Sequence, residues 1–339
     1  MERKPVREAV GMILCHDVTQ IIPGEVKGRA FKKGHTITQE DIPVLLSLGK
    51  DNIYVWENDE TMTHENDAAE VLREIAAGEG LEFTEVREGK INFIASEDGL
   101  LKINKEMLFK LNCYDDIVLT TFHNNAPVKK GDIVAGTRIV PLVIKTEKLD
   151  EVRKNINDKI VSIKPFNKMK VAVVTTGSEV FHGRIKDAFG PVIREKFQEY
   201  GSEVINQVKV PDDEEKIVQA VNDGLKSEAD IVVCTGGMSV DPDDLTPSAI
   251  RECASEVIKY GAPVLPGSML LVAYSGKKVI LGLPGCVMYF KRSVFDLVLP
   301  RILAREKIEK MDIIKLAHGG LCMRCDVCVY PKCSFGKGE

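Results

Sequence analysis

The chain has 339 residues, 46 Lys or Arg against 51 Asp or Glu, a formal net charge of −5 and 44% apolar residues. That length implies two or three domains that fold without covalent staples, which excludes a disulfide-held miniprotein. No apolar run approaches the ~18 residues that a membrane span needs, and the mild acidity argues against binding nucleic acid through its phosphate backbone. The opening Met1-Glu2-Arg3-Lys4-Pro5 leads into no apolar core of the secretory kind, so the sequence predicts a cytoplasmic protein with no membrane or nucleic-acid partner.

Residues 11–14 predict a strand, followed by a loop at Pro23 and Gly24. A helix is expected from Thr38, with Asp41 three residues on, Ile42, Leu45 and Leu46 on one face, and Gly49 closing it. Residues 53–56 read as a strand, 57–60 as a polar break and 66–77 as a helix. Residues 90–94 and 100–103, separated by Ser96-Glu97-Asp98-Gly99, carry a hairpin signal. Phe31-Lys32-Lys33-Gly34-His35-Thr36-Ile37 echoes Val128-Lys129-Lys130-Gly131-Asp132-Ile133-Val134, and both look like turns of a small barrel.

Beyond a charged stretch at 145–159, read as helix or linker, the pattern changes. Apolar strands at 169–174, 204–210 and 231–234 alternate with helical patterns at 185–200 and 213–226. Strands without polar alternation, spaced by helices, mark a parallel sheet covered on both faces. A doubly wound α/β domain is therefore expected, closed by a long helix after Pro284-Gly285 with Val287, Phe290, Val294, Leu297 and Val298 on one stripe.

In such sheets the ligand crevice lies beyond the carboxyl ends of the strands. Three loops qualify there: Thr175-Thr176-Gly177-Ser178-Glu179, Thr235-Gly236-Gly237-Met238-Ser239 and Leu283-Pro284-Gly285-Cys286. Each offers glycine where backbone must approach a ligand, and each precedes a turn or helix whose free N–H groups suit a phosphate. The second loop runs on into Asp241, Asp243 and Asp244. Carboxylates beside a phosphate cradle suit a hard cation such as Mg²⁺; the simpler alternative is that Asp244 caps a helix beginning near Thr246.

Thr176-Gly177-Ser178-Glu179, Val210-Pro211-Asp212-Asp213, Thr235-Gly236-Gly237-Met238-Ser239-Val240 with Asp244, and Gly282-Leu283-Pro284-Gly285 resemble, in order and spacing, the molybdopterin-binding domain shared by molybdopterin adenylyltransferases and molybdopterin molybdenumtransferases. The resemblance implies a three-layer α/β domain over 161–306. Residues 31–55 resemble the molybdenumtransferase lead-in, giving a segment 1–60, with about 110 residues inserted after it that form a β-rich, barrel-like region over 61–160. It further implies that Thr176, Gly177, Ser178, Thr235, Gly236, Gly237, Ser239, Asp243, Leu283, Pro284, Gly285 and Cys286 bind the pterin phosphate or adenylate, and that Glu179, Asp212 and Asp244 stand near Mg²⁺ and molybdate as catalytic acids. The expected function is binding of molybdopterin or its adenylate in molybdenum or tungsten cofactor biosynthesis, up to Mg²⁺-dependent metal insertion. A homo-oligomer is expected, with a molybdoenzyme or its chaperone as partner.

The departures favour binding over turnover. The family's proline-glycine-lysine-proline stands here as Pro266-Gly267-Ser268-Met269, without the lysine; Cys286-Val287 replaces asparagine-proline, and Asp187-Ala188-Phe189 replaces aspartate-serine-asparagine. A non-catalytic carrier or sensor is one alternative. Another is the nucleotide pyrophosphatase of the competence/damage-inducible type, which Asp243-Asp244-Leu245-Thr246 also resembles.

The last segment, 307–339, carries Cys322, Cys325, Cys328 and Cys333. Thiols this close in a reducing compartment predict a metal site, either an iron–sulfur cluster or Zn²⁺. Cys286, after Gly285 at an expected helix N-terminus, is a candidate low-pKa thiol; Cys234 and Cys253 read as core, and His16, His123 and His182 as ordinary histidines.

Overall fold

The computed structural model describes residues 2–22, 26–55 and 61–338. The chain divides into two compact units: Met1–Ala95, Ile103–Phe122 and Gly131–Ser162 form one, and Ser96–Lys102, His123–Lys130 and Ile163–Glu339 the other. Pro23, Gly24 and the break at 57–60, with Trp56, lie outside the described residues.

In the first unit, Glu2–Pro5 pairs with Asn52–Val55, Val18–Ile22 with Val26–Phe31, and Met62–His64 with Val143–Lys145, all antiparallel. A four-stranded sheet runs in the order Leu81–Phe83, Ile91–Ala95, Ile133–Ile139, Ile117–Thr121. Among the described residues these are assigned as separate sheets. Residues 11–14 make only the isolated bridges Ile13↔Thr36 and Leu14↔Val55. The helix Asp41–Ser47 starts as its sequence requires: the Thr38 N–H and hydroxyl both donate to the Asp41 carboxylate at 2.8 Å, and Ile42 and Leu45 are buried. Helices Glu65–Ala76 and Thr146–Asn155 occupy the stretches expected at 66–77 and within 145–159. The expected hairpin fails, because Ile91–Ala95 pairs with strands of the four-stranded sheet whereas Gly99–Ile103 pairs with Pro127–Val128. Asp98 explains the divergence: its carboxylate accepts from the Lys130 N–H at 2.8 Å instead of closing a tight turn.

The second unit follows the α/β expectation. Its elements are β1 (Lys170–Thr176), α1 (Phe189–Gln198), β2 (Glu203–Val210), α2 (Glu214–Lys226), β3 (Ile231–Thr235), α3 (Thr246–Cys253), β4 (Glu256–Tyr260), β5 (Leu271–Ser275), β6 (Lys278–Leu283) and α4 (Val294–Leu303). The sheet order is β2-β1-β3-β6-β5-β4, with β2, β1, β3 and β6 parallel and β5 antiparallel to both of its neighbours, β6 and β4. Both faces are buried because successive side chains point to opposite sides. Val171, Val173, Ile231, Val233 and Leu281 pack against Ile193 and Phe197 of α1 and Phe295, Val298 and Ile302 of α4. Val174, Val232, Cys234 and Ile280 pack against Ile217 and Val221 of α2 and Ala249 and Ile250 of α3. Three layers result.

The long helix expected after Pro284-Gly285 is broken. A 3₁₀ turn covers Gly285–Met288, and α4 begins afresh at Val294 behind Ser293. The reason is a capping box: the Ser293 N–H donates to Asp296 at 2.7 Å and the Phe295 N–H donates to the Ser293 hydroxyl at 3.3 Å. Val287, Val294 and Val298 still reach the core, while Phe290 is released from it. No helix among the described residues is long and apolar enough to cross a membrane.

Candidate functional site

At the carboxyl ends of β3 and β6 a cavity of about 480 Å³ opens, within the range of small-molecule sites. Its walls are Gly236, Gly237, Met238, Ser239 and Asp244 from the loop after β3, Pro284, Gly285 and Cys286 after β6, the 265–269 loop, and Phe189, Phe290 and Arg324. Of the residues expected to bind cofactor, this gathers Gly236, Gly237, Ser239, Pro284, Gly285 and Cys286, together with Asp244 from the expected acids. The rest lie outside the walls.

The glycine loop is held from below. The Thr246 hydroxyl donates to the Gly236 carbonyl at 2.9 Å and lies 3.1 Å from the Thr176 hydroxyl, while the Thr246 N–H donates to the Gly237 carbonyl at 3.2 Å. Gly236 sits at φ +87°, where a Cβ would collide with the Thr176 carbonyl, so only glycine fits. Tyr260 reaches across from β4 to donate to the Met238 carbonyl at 2.9 Å, its ring 5.4 Å beneath the Arg251 guanidinium. Thr176 is therefore a support, and Thr235 and Leu283 are buried strand ends.

The Thr176–Glu179 turn is tied to the end of β2. The Ser178 N–H donates to the Asp212 carboxylate at 2.8 Å, the Asp212 N–H donates to the Ser178 hydroxyl at 3.3 Å, and the Gly177 N–H donates to the Val210 carbonyl at 3.2 Å. Asp244 accepts from the Asp241 N–H at 3.0 Å and caps no helix; α3 follows Leu245 with no side-chain cap. Glu179 and Asp243 are exposed. Among the described residues no three His, Cys, Asp or Glu side chains converge to hold a metal ion. Asp212 and Asp244 accept from backbone N–H groups of their own loops.

No ready ligand group lies in the cysteine tail among the described residues. Cys322 and Cys333 pack against the core cluster, whereas Cys325 is exposed. The segment is instead pinned to the α/β unit. The Leu265 N–H donates to the Gly320 carbonyl and the Cys322 N–H to the Leu265 carbonyl, both at 2.8 Å; Tyr330 donates to the Asp296 carbonyl at 3.0 Å, and Phe335 is buried. Cys286 is also corrected: burial pushes its thiol up, and it sits on a 3₁₀ turn rather than at a helix N-terminus. Cys234 is buried in the core, and burial raises the thiols of both Cys234 and Cys253.

Sequence reasoning missed four participants. Gln207 joins β2 to the front of α1, donating to Asp187 at 2.6 Å and to Thr175 at 3.1 Å. Phe290 falls on the expected core stripe, which the capping box interrupts. Tyr260 and Arg324 carry no local motif and reach the site by folding alone.

Residues 172–304 match the family model described as a probable molybdopterin binding domain, and residues 3–57 match that of a domain of unknown function (DUF8806). The molybdopterin molybdenumtransferase of Staphylococcus epidermidis is 32% identical over 170 residues, 47% of this chain and 38% of that protein; that of Staphylococcus aureus (strain Mu50) is 32% identical over 130 residues, 36% of this chain and 31% of that protein. The match thus spans less than two-fifths of the length of these relatives. Among solved structures, the molybdopterin biosynthesis enzyme MoaB from Thermus thermophilus is 23% identical, with 41% of this chain and 98% of that chain covered and a TM-score of 0.35. Over residues 172–304 the chain therefore carries a domain of the molybdopterin-binding family.

Proposed function

We propose that the cavity binds molybdopterin or its adenylate and that the protein serves molybdenum or tungsten cofactor biosynthesis as a binding protein. The observation that carries this is the convergence of residues 236–239, 265–269 and 284–286 around one cavity of about 480 Å³. The family of residues 172–304 and the names of the curated relatives support a pterin as the ligand. Gly285, with open space where a side chain would stand, admits a phosphate closely, while Phe189, Met269 and Phe290 offer apolar faces to a flat ring. Thr176, Gly177, Ser178 and Asp212 brace the loops in this reading. The proposal is capture and hand-over, with the cytoplasm as setting and a molybdoenzyme or its chaperone as recipient.

The test is anaerobic calorimetric titration of the full chain with molybdopterin, beside an assay for cleavage of ADP-ribose. Saturable pterin binding without cleavage is expected. Cleavage of ADP-ribose with no pterin binding would falsify the proposal in favour of a nucleotide pyrophosphatase.

A further inference from the structure

We infer that Arg324, supplied by the cysteine-rich C-terminal segment, is the specificity-determining cation of the cavity and recognises the anionic, phosphate-bearing end of the ligand. Among the lining residues it is the one cation, and Asp244 is the one carboxylate. Ser268, in the opposite loop, brings a hydroxyl and no charge. Without Arg324 the cavity would present a net negative lining to an anion, which backbone N–H dipoles alone would have to overcome.

The placement of Arg324 is built. The chain passes beside the 265–269 wall through the parallel bridge Leu265↔Leu321 and its two 2.8 Å backbone hydrogen bonds, so Arg324 emerges three residues beyond a fixed point. Its backbone lies at φ +54°, a conformation uncommon away from glycine, and the residue lines the cavity. The guanidinium rests 4.8 Å from the centre of the Phe290 ring, a contact that orients the planar fork. Among the described residues it makes no ion pair or hydrogen bond, so its N–H donors are free for a ligand. A guanidinium with free donors matches phosphate oxygens bidentately. The cysteine tail thus completes the ligand site.

This inference rests on the pterin reading, and its test separates the two. The fluorescent oxidised derivative of molybdopterin, its dephosphorylated form and inorganic pyrophosphate are each titrated into the full-length protein, into R324Q and into R324K. Unaltered protein is expected to favour the phosphorylated pterin, and R324Q to lose about ten- to a hundredfold in affinity for it while binding the dephosphorylated form unchanged. R324K should recover part of the loss, since it keeps the charge without the fork. Equal affinity of R324Q and unaltered protein for the phosphorylated probe overturns the assignment of Arg324 and leaves the pterin reading standing. If neither pterin binds the unaltered protein, the pterin reading fails, and pyrophosphate decides alone: weaker binding by R324Q supports Arg324 as an anion site, and unchanged or absent binding overturns it.

Discussion

The hydroxyls of Thr176 and Thr246 meet 3.1 Å apart in the buried floor beneath the glycine loop, joining residues 70 positions distant in sequence. One ends β1 and the other opens α3, so the contact locks the strand-end loop to the helix that follows it. Thr246→Val keeps the shape and removes the hydroxyl, leaving the Gly236 carbonyl without its donor. A loss of roughly 1–3 kcal/mol is expected, read by urea unfolding, together with weaker molybdopterin binding.

Gly236→Ala meets two obstacles at once, the left-handed φ of +87° and the Thr176 carbonyl. The backbone conformation alone costs roughly 1–2 kcal/mol, and the collision adds to it. The variant should bind pterin poorly while its far-ultraviolet circular dichroism stays native; normal affinity would show that the loop is not part of the site.

Lys196 and Asp296 form a buried pair at 2.7 Å, their side chains 9% and 3% exposed. Removing Lys196 takes away one of the two cations that hold the buried carboxylate. Arg292, 3.0 Å from the same carboxylate, remains as its counter-charge, so Lys196→Met should destabilise the α/β unit by about 1–3 kcal/mol, with little dependence on salt between low and moderate ionic strength.

Phe335 is buried in the α/β core beside Tyr330, whose ring lies 6.4 Å away. Phe335→Ala should cost about 3–5 kcal/mol. Deleting everything after Leu321 should therefore lower the melting temperature as well as ligand affinity, whereas a freely hanging tail would leave the melting temperature unchanged.

Glu306 sets an acid-sensitive point. Burial alone would raise its pKa, but hydrogen bonds from Lys102, Lys164 and Arg301 prevail and hold the carboxyl down at about 2. A carboxylate depressed in the folded state contributes stability above its unfolded pKa, and that contribution fades as pH falls toward the folded value. On the order of 2–3 kcal/mol should be lost between about pH 5 and pH 2. Glu306→Gln should flatten this part of the stability–pH curve.

The alternation of apolar strands and helices from β1 to β3 was legible because burial on both faces leaves no room for polar residues, as Ile231–Thr235 shows. The loops after β3 and β6 were legible through their glycines. What local pattern cannot carry is direction. Cysteine spacing in the tail resembles a ligand set, yet Cys322 and Cys333 face the core while Cys325 faces solvent. The Val287 to Val298 stripe has helical periodicity, but Ser293 and Asp296 restart the helix inside it. Gln207, Tyr260 and Arg324 act through contacts with residues distant in sequence, which no window of neighbours contains.

The α/β unit is drawn from three stretches of chain, one of them supplying Lys102, whose ammonium lies 2.8 Å from Glu306. A recombination crossover anywhere between Lys102 and Ile163 divides that unit. Fragments encoding only its final stretch would inherit Glu306 without Lys102. The unit is inherited whole only when the crossover falls ahead of Ser96.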